Sequence, residues 1–123
     1  MAADTTQPFE VTVKAAKADY AAGKELELQV SVRNTTKETA KLQFNSGQKY
    51  DFSARKAGEN ELSWLWSMDK IFTQALSSQE VKPGEVISFK GSWPSPAAGE
   101  YTVVGIITAN GRIKSAPITV IIK

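Results

Sequence analysis

The most constraining feature of this 123-residue chain is a strict alternation of apolar and polar residues over positions 25–33. Four apolar residues occupy every second position of that segment, namely Leu26, Leu28, Val30 and Val32. Because successive side chains of a β-strand point to opposite faces, this period of two predicts a strand rather than a helix. The polar residues between them predict that one face is wet, which is typical of antiparallel sheets.

The same period recurs along the chain at intervals of about ten residues. The further strand-like segments are 9–13, 40–44, 50–55, 62–67, 86–93, 101–108 and 112–122. Segment 71–76 fits either a helical stripe or a strand, and we favour a strand because it has no convincing helix cap. The pattern predicts an all-β protein, an immunoglobulin-like antiparallel β-sandwich of about seven to nine strands. We expect one such domain over residues 8–123, preceded by a flexible N-terminus at 1–7.

Three local signals support this fold. Pro83-Gly84 predicts a type II turn, in which proline fixes φ and glycine supplies a positive φ. Asn110-Gly111 predicts a tight hairpin turn between the last two long segments. Tyr101 opens the penultimate strand, where immunoglobulin-like sandwiches often place a tyrosine whose hydroxyl bonds back to the backbone, although half burial in a strand would explain it equally well.

The composition removes most catalytic chemistry. The chain has no Cys and no His, which excludes disulfides, thiolate zinc sites and histidine-based catalytic triads. No calcium-loop, dinucleotide or phosphate-loop motif is present. We therefore predict no enzyme activity, no catalytic residues, no metal and no cofactor. The formal net charge of only +2 argues against a nucleic-acid partner, and the longest apolar run is too short for membrane insertion.

The first ten residues contain neither a basic nor an apolar signal region. We therefore expect a cytoplasmic protein, and the absence of cysteine favours the same compartment. The alternative is an exported protein whose signal peptide has been removed from this chain.

The middle of the chain carries an ordered set of motifs. In order they are Ser46-Gly47-Gln48, Tyr50-Asp51-Phe52, Trp64-Leu65-Trp66-Ser67, Phe72-Thr73-Gln74-Ala75-Leu76, Pro83-Gly84-Glu85, Trp93 and Gly99-Glu100-Tyr101. This set resembles the BsuPI family, the intracellular proteinase inhibitor domain of Bacillus and relatives. The resemblance covers about residues 28–108. It implies an immunoglobulin-like sandwich that inhibits an intracellular, subtilisin-like serine protease, by loop or edge-strand occlusion of the protease cleft.

Most of the motif residues are interpreted as scaffold. They are Ser46, Gly47, Gln48, Tyr50, Asp51, Phe52, Trp64, Trp66, Phe72, Gln74, Pro83, Gly84 and Tyr101. We expect Gly47 to supply a backbone angle or a bulge, and Gln48 and Asp51 to bind loop backbone groups. Trp64 and Trp66 are two residues apart and share a face on a strand, so an exposed face there would favour sugar binding instead.

An inhibitor needs a rigidly displayed segment rather than catalytic groups. The first candidate is the segment around Met68 and Asp69, whose apolar methionine suits a subtilisin-like pocket, although an ordinary polar turn fits equally. The second is the stiff segment Trp93, Pro94, Ser95 and Pro96, which is otherwise a crossover between sheets. The alternative function is a non-catalytic immunoglobulin-like interaction module that binds another protein or a cell-surface glycan.

Overall fold

The computed structural model describes residues 8–16 and 19–123, and the predicted flexible segment 1–7 lies outside these residues. Eight strands of five or more residues are formed: β1 (Phe9–Ala15), β3 (Leu26–Asn34), β4 (Ala40–Phe44), β5 (Tyr50–Lys56), β7 (Ser77–Val81), β8 (Val86–Trp93), β9 (Gly99–Ile107) and β11 (Ile118–Ile122). Three strands have two residues each: β2 (Asp19–Tyr20), β6 (Trp64–Leu65) and β10 (Ile113–Lys114). A 3₁₀ helix, Trp66–Asp69, follows β6 directly.

The strands form two main sheets and a small third one. One main sheet has the order β1-β3-β8, and the other has the order β2-β11-β9-β5-β6 with β10 also paired to β9. Strands β4 and β7 form a separate two-stranded sheet. All pairs are antiparallel except β2 with β11, which is parallel. The predicted all-β, immunoglobulin-like sandwich is therefore confirmed.

The core lies between the two main sheets, where the alternating apolar residues of β1 and β3 meet those of β5 and β9. Leu26, Leu28, Val30 and Val32 are all fully buried, as their alternation predicts. The sheets approach closely at Gly105 of β9, because a Cβ there would lie 2.8 Å from Cγ2 of Val30. A larger residue at position 105 would push the sheets apart.

The predicted turns are present. Gly84 has a φ of 77°, and the Glu85 N–H donates to the Lys82 carbonyl at 2.9 Å, as in a type II turn. Asn110 and Gly111 both have positive φ, at 51° and 88°, so the chain reverses here between β9 and β10.

The tyrosine corner is also present. Tyr101 is buried, and its hydroxyl donates to the Ala97 carbonyl at 2.9 Å. We expect Tyr101→Phe to lower the free energy of unfolding by about 1 kcal/mol, since the ring stays packed while one hydrogen bond is lost. Urea unfolding measures this change. An unfolding midpoint equal to that of the unsubstituted protein would contradict a stabilising role for the hydroxyl.

Three sequence-based strand predictions differ from the structure. Segment 62–67 is a strand only over Trp64–Leu65, because the chain turns into the 3₁₀ helix at Trp66. Segment 71–76 is neither strand nor helix, and β7 begins only at Ser77. Segment 112–122 is interrupted between β10 and β11. We call the stretch from residue 66 to residue 76 the display segment.

Candidate functional site

Several residues of the motifs described above form hydrogen bonds with one buried carboxylate, that of Asp51. Its side chain is 1% exposed and accepts four hydrogen bonds. Oδ1 accepts from the backbone N–H groups of Phe52 at 2.8 Å and Ser67 at 3.0 Å. Oδ2 accepts from the Ser67 hydroxyl at 2.6 Å and from Nε2 of Gln48 at 3.1 Å. Asp51 therefore ties the start of the display segment to β5 and to the loop that precedes β5.

An aromatic stack supports the same segment from the side of the core. The ring of Trp66 stacks on that of Tyr50 with 4.5 Å between centroids, and Tyr50 stacks on Phe89 of β8 at 4.9 Å. The Tyr50 hydroxyl donates to the Lys90 carbonyl at 2.8 Å, and burial raises the pKa of this hydroxyl above its ordinary value. Trp66 is thus fixed between both main sheets, and the 3₁₀ helix that it begins is fixed with it.

The other two tryptophans pack on each other. Trp64 stacks on Trp93 with centroids 5.0 Å apart and the planes 7° from parallel, and Trp93 meets the edge of Tyr101. The faces of Trp64 and Trp66 are therefore covered by other aromatic rings, although both side chains remain half-exposed. This arrangement offers no flat, open pair of indoles of the kind that a sugar-binding surface needs.

The 3₁₀ helix presents Met68 and Asp69 to solvent. Met68 is 64% exposed, and Asp69 pairs only with its neighbour Lys70 at 3.2 Å. The Lys70 ammonium also donates to the Trp66 carbonyl at 3.1 Å and lies 4.4 Å from the centroid of the Trp66 ring. Lys70 therefore closes the turn, and the chain leaves it in an extended conformation, with φ −121° and ψ 153°.

The second anchor of the display segment lies at Thr73. Its carbonyl accepts a hydrogen bond from the Gly47 N–H at 2.8 Å. Gly47 has no positive φ, so the expectation that it supplies an unusual backbone angle is wrong. A Cβ at position 47 would lie 2.6 Å from Oγ1 of Thr73, so the glycine serves instead to let the two backbones approach.

The display segment exposes apolar side chains that soluble proteins normally bury. Ile71 is 98% exposed and Leu76 is 78% exposed, and Met68 belongs to the same stretch. Phe72 is half-buried, with its centroid 6.0 Å from that of Trp66, whereas Gln74 is exposed. Clustered exposed apolar residues indicate an interaction surface. Here they lie on irregular backbone that is held at Asp51 and at Gly47.

The structure places the second predicted contact segment differently. Trp93 is 7% exposed and Pro96 is buried, so only Pro94 and Ser95 face solvent. The Pro96 carbonyl accepts a hydrogen bond from Gly23 at 3.0 Å. Trp93 and Pro96 therefore pack within the domain, and little side-chain surface remains there for a partner.

The two candidate segments lie at opposite ends of the sandwich. Trp93 packs beside Trp64 and Tyr101, which are level with Ala54 and Lys56 on β5. Trp66 packs instead on Tyr50, at the other end of that strand.

The remaining features add no chemical group to this site. Within the described residues, no cluster of three or more Asp, Glu, His or Cys is placed to hold a metal ion. No helix in the described part of the chain is long and apolar enough to cross a membrane.

Comparison with known proteins gives the family. The model of BsuPI, described as an intracellular proteinase inhibitor, matches residues 10–112. The chain belongs to the BsuPI family. The match includes the whole display segment, Asp51, and both segments predicted to contact a protease. A search of curated proteins gives no significant match.

Solved structures with low sequence identity share the fold of this BsuPI domain. The sporulation control protein Spo0M from Bacillus subtilis has a TM-score of 0.59 at 17% identity, over 96% of this chain and 50% of that one. This chain therefore spans about half the length of Spo0M. The CARDB domain of PF1109 from Pyrococcus furiosus, a complex with di-metal ions, has a TM-score of 0.53 at 15% identity, over 94% and 87% of the two chains. At these identities the likeness concerns the fold alone.

Sequence reasoning placed Met68 and Asp69 in a candidate contact segment but missed Ile71 and Leu76. The apolar residues of 71–76 fit both a strand and a helical stripe, so periodicity gave no signal of their exposure.

Proposed function

We propose that this BsuPI domain inhibits a subtilisin-like serine protease of the cytoplasm, by placing its display segment in the protease cleft. The family description supplies the inhibitor class, and the target protease and the contact segment are our proposal. The domain would act by occlusion alone, without catalytic groups of its own.

The observation that carries the proposal is the exposure of Ile71 directly after the extended residue Lys70. Proteases bind their substrates as extended strands, and alternate side chains enter pockets of the cleft. Ile71 follows Lys70, whose backbone is extended, and its side chain is almost fully in solvent. An exposed isoleucine lowers the solubility of the unbound protein, which is consistent with a side chain that becomes buried in a complex.

The two anchors explain how such a segment acts as an inhibitor rather than as a substrate. Asp51 holds the chain before Ile71, and Gly47 holds it after Ile71 at Thr73. Less conformational entropy is then lost on binding than with a flexible loop. If the protease cuts between the anchors, both new ends stay attached to the domain and remain close enough to block the cleft or to be rejoined.

The test is a titration of the purified full chain into an intracellular subtilisin-like serine protease, with residual activity measured against a small substrate. We expect activity to fall linearly and to approach zero near one molar equivalent, with the domain intact on a denaturing gel. Undiminished activity at a large excess of the domain, across several subtilisin-like proteases, would overturn the proposed function. Rapid degradation of the domain with recovery of activity would identify a substrate and overturn it as well.

A further inference from the structure

The outer face of the larger main sheet carries a groove that the proposed inhibition does not use. Its volume is about 400 Å³, and its floor includes Leu62, Leu65, Val104 and Ile106. Val104 pairs with Ser53 on β5, and Ser53 pairs with Leu65 on β6, so these side chains lie in one row across three strands. We call this feature the outer-face groove. It shares no lining residue with the display segment.

The apolar floor departs from the usual pattern of such a sheet. The solvent face of an antiparallel sheet is normally polar. Here Val104 and Leu65 are half-exposed, and Leu62 at the border is 47% exposed. Ile106 is only 3% exposed. The three other apolar side chains together on an outer face indicate a surface that a ligand covers.

The charged residues that line the groove are all cations. They are Arg55, Arg112 and Lys114, and no acidic side chain lines the groove. The two ion pairs found among residues 8–16 and 19–123 are elsewhere, at Arg33–Glu10 and Lys70–Asp69. None of the three cations is therefore neutralised by a carboxylate within the described part of the chain.

Arg112 has a backbone conformation that arginine rarely adopts. Its φ is 93°, directly after the Asn110-Gly111 turn. Such a conformation costs of order 1–3 kcal/mol for a residue with a side chain, and it persists at sites where the side chain's position matters. A glycine would relieve this strain, but it would remove the guanidinium from the groove.

The spacing of the cations indicates the kind of ligand. Arg55 pairs with Thr102 of β9, and Lys114 pairs with Ile106. Four residue steps along β9 separate Thr102 from Ile106, which corresponds to about 13 Å at 3.3 Å per residue. Because β5 and β10 pair with opposite edges of β9, two strand spacings of about 4.8 Å are added, and the backbones at Arg55 and Lys114 are about 16 Å apart. Val104 of the apolar floor lies between them, and Leu65 lies on the far side of β5. A ligand that matches the groove therefore has a negative group at each end and an apolar centre.

We propose that the outer-face groove binds an extended segment of a partner protein in which acidic residues flank an apolar centre. An extended peptide of about five or six residues spans the distance between the cations. An anionic amphiphile with a single head group would pair with one end of the groove only, so the two-ended charge pattern favours the peptide. Arginine is also enriched among the few residues that contribute most of the binding energy at protein interfaces. This proposal does not depend on the inhibition of a protease.

The test is a selection of random nine-residue peptides on the immobilised full chain, followed by fluorescence anisotropy with the enriched peptides. We expect enriched sequences to carry two acidic residues that are separated by about four apolar ones. Their affinity should fall at least tenfold with Leu65→Ser and with the charge reversals Arg55→Glu and Lys114→Glu combined. Lys82→Glu, which reverses a charge in the turn before β8, should leave the affinity unchanged.

Three results would overturn the proposal: no enrichment of an acidic-apolar pattern, equal binding to the reversed and unsubstituted chains, or binding of laurate in the groove without peptide enrichment. The last result would assign the groove to a small amphiphile. If the charge-reversal variant does not fold, Arg55→Gln combined with Lys114→Gln removes the same charges with less disturbance. The urea midpoint of each variant shows whether it is folded.

Discussion

Replacing Asp51 by alanine should lower the free energy of unfolding by about 3 kcal/mol. The carboxylate accepts four hydrogen bonds at a position that is almost closed to solvent. Its removal leaves the backbone N–H groups of Phe52 and Ser67 without their acceptor. Each buried donor left unpaired costs about 1–3 kcal/mol, and entry of water recovers part of that loss.

Urea unfolding followed by tryptophan fluorescence measures this change. Asp51→Asn keeps one acceptor oxygen and should lose about half as much free energy. Asp69→Ala is the matched control, because Asp69 is exposed and pairs only with its neighbour, so its removal should change stability by less than about 0.5 kcal/mol. An Asp51→Ala variant within 1 kcal/mol of the unsubstituted domain would contradict the anchoring role of the carboxylate.

Replacing Ile71 by aspartate should weaken inhibition of the target protease about 30-fold or more, since the loss of a central apolar anchor at an interface typically costs about 2 kcal/mol or more. The same change should leave the urea midpoint unaltered, because the side chain is 98% exposed and has no packing to lose. Inhibition constants for the protease that the unsubstituted domain inhibits, measured with a small substrate, test this prediction.

Val86→Asp is the matched control for Ile71→Asp. Val86 is also an exposed apolar residue, at 53%, but it begins β8 and lies outside the display segment. Ser95→Glu tests the other candidate segment in the same way. Equal inhibition by Ile71→Asp and Val86→Asp would contradict the assignment of the display segment. If only Ser95→Glu abolished inhibition, the protease contact would be assigned to segment 93–96 instead.

The sequence predicts well those parts of the fold that local patterns determine. The alternation at Leu26–Asn34 gives β3 with its buried face, Asn110-Gly111 gives the hairpin turn, and Tyr101 forms the corner. In each case the determining residues are neighbours in the chain or lie within one strand. Periodicity and turn chemistry therefore contain the necessary information.

The display segment could not be predicted in this way because its shape depends on contacts between distant residues. Asp51 fixes Ser67 sixteen residues later, and Gly47 fixes Thr73 across a close backbone approach. The sequence indicated that Gln48 and Asp51 bind loop backbone groups, but it did not show which loop. Without that information, 62–67 and 71–76 resemble ordinary strands, and the exposure of Ile71 cannot be foreseen.

The most direct measurement of the central claim is amide hydrogen exchange, followed by mass spectrometry, on the domain alone and in complex with an inactivated subtilisin-like protease. We expect protection on binding over residues 68–76, with exchange around Pro94 to Ala98 unchanged. Protection centred on residues 94–98 or on an edge strand, with 68–76 still exchanging freely, would contradict the account.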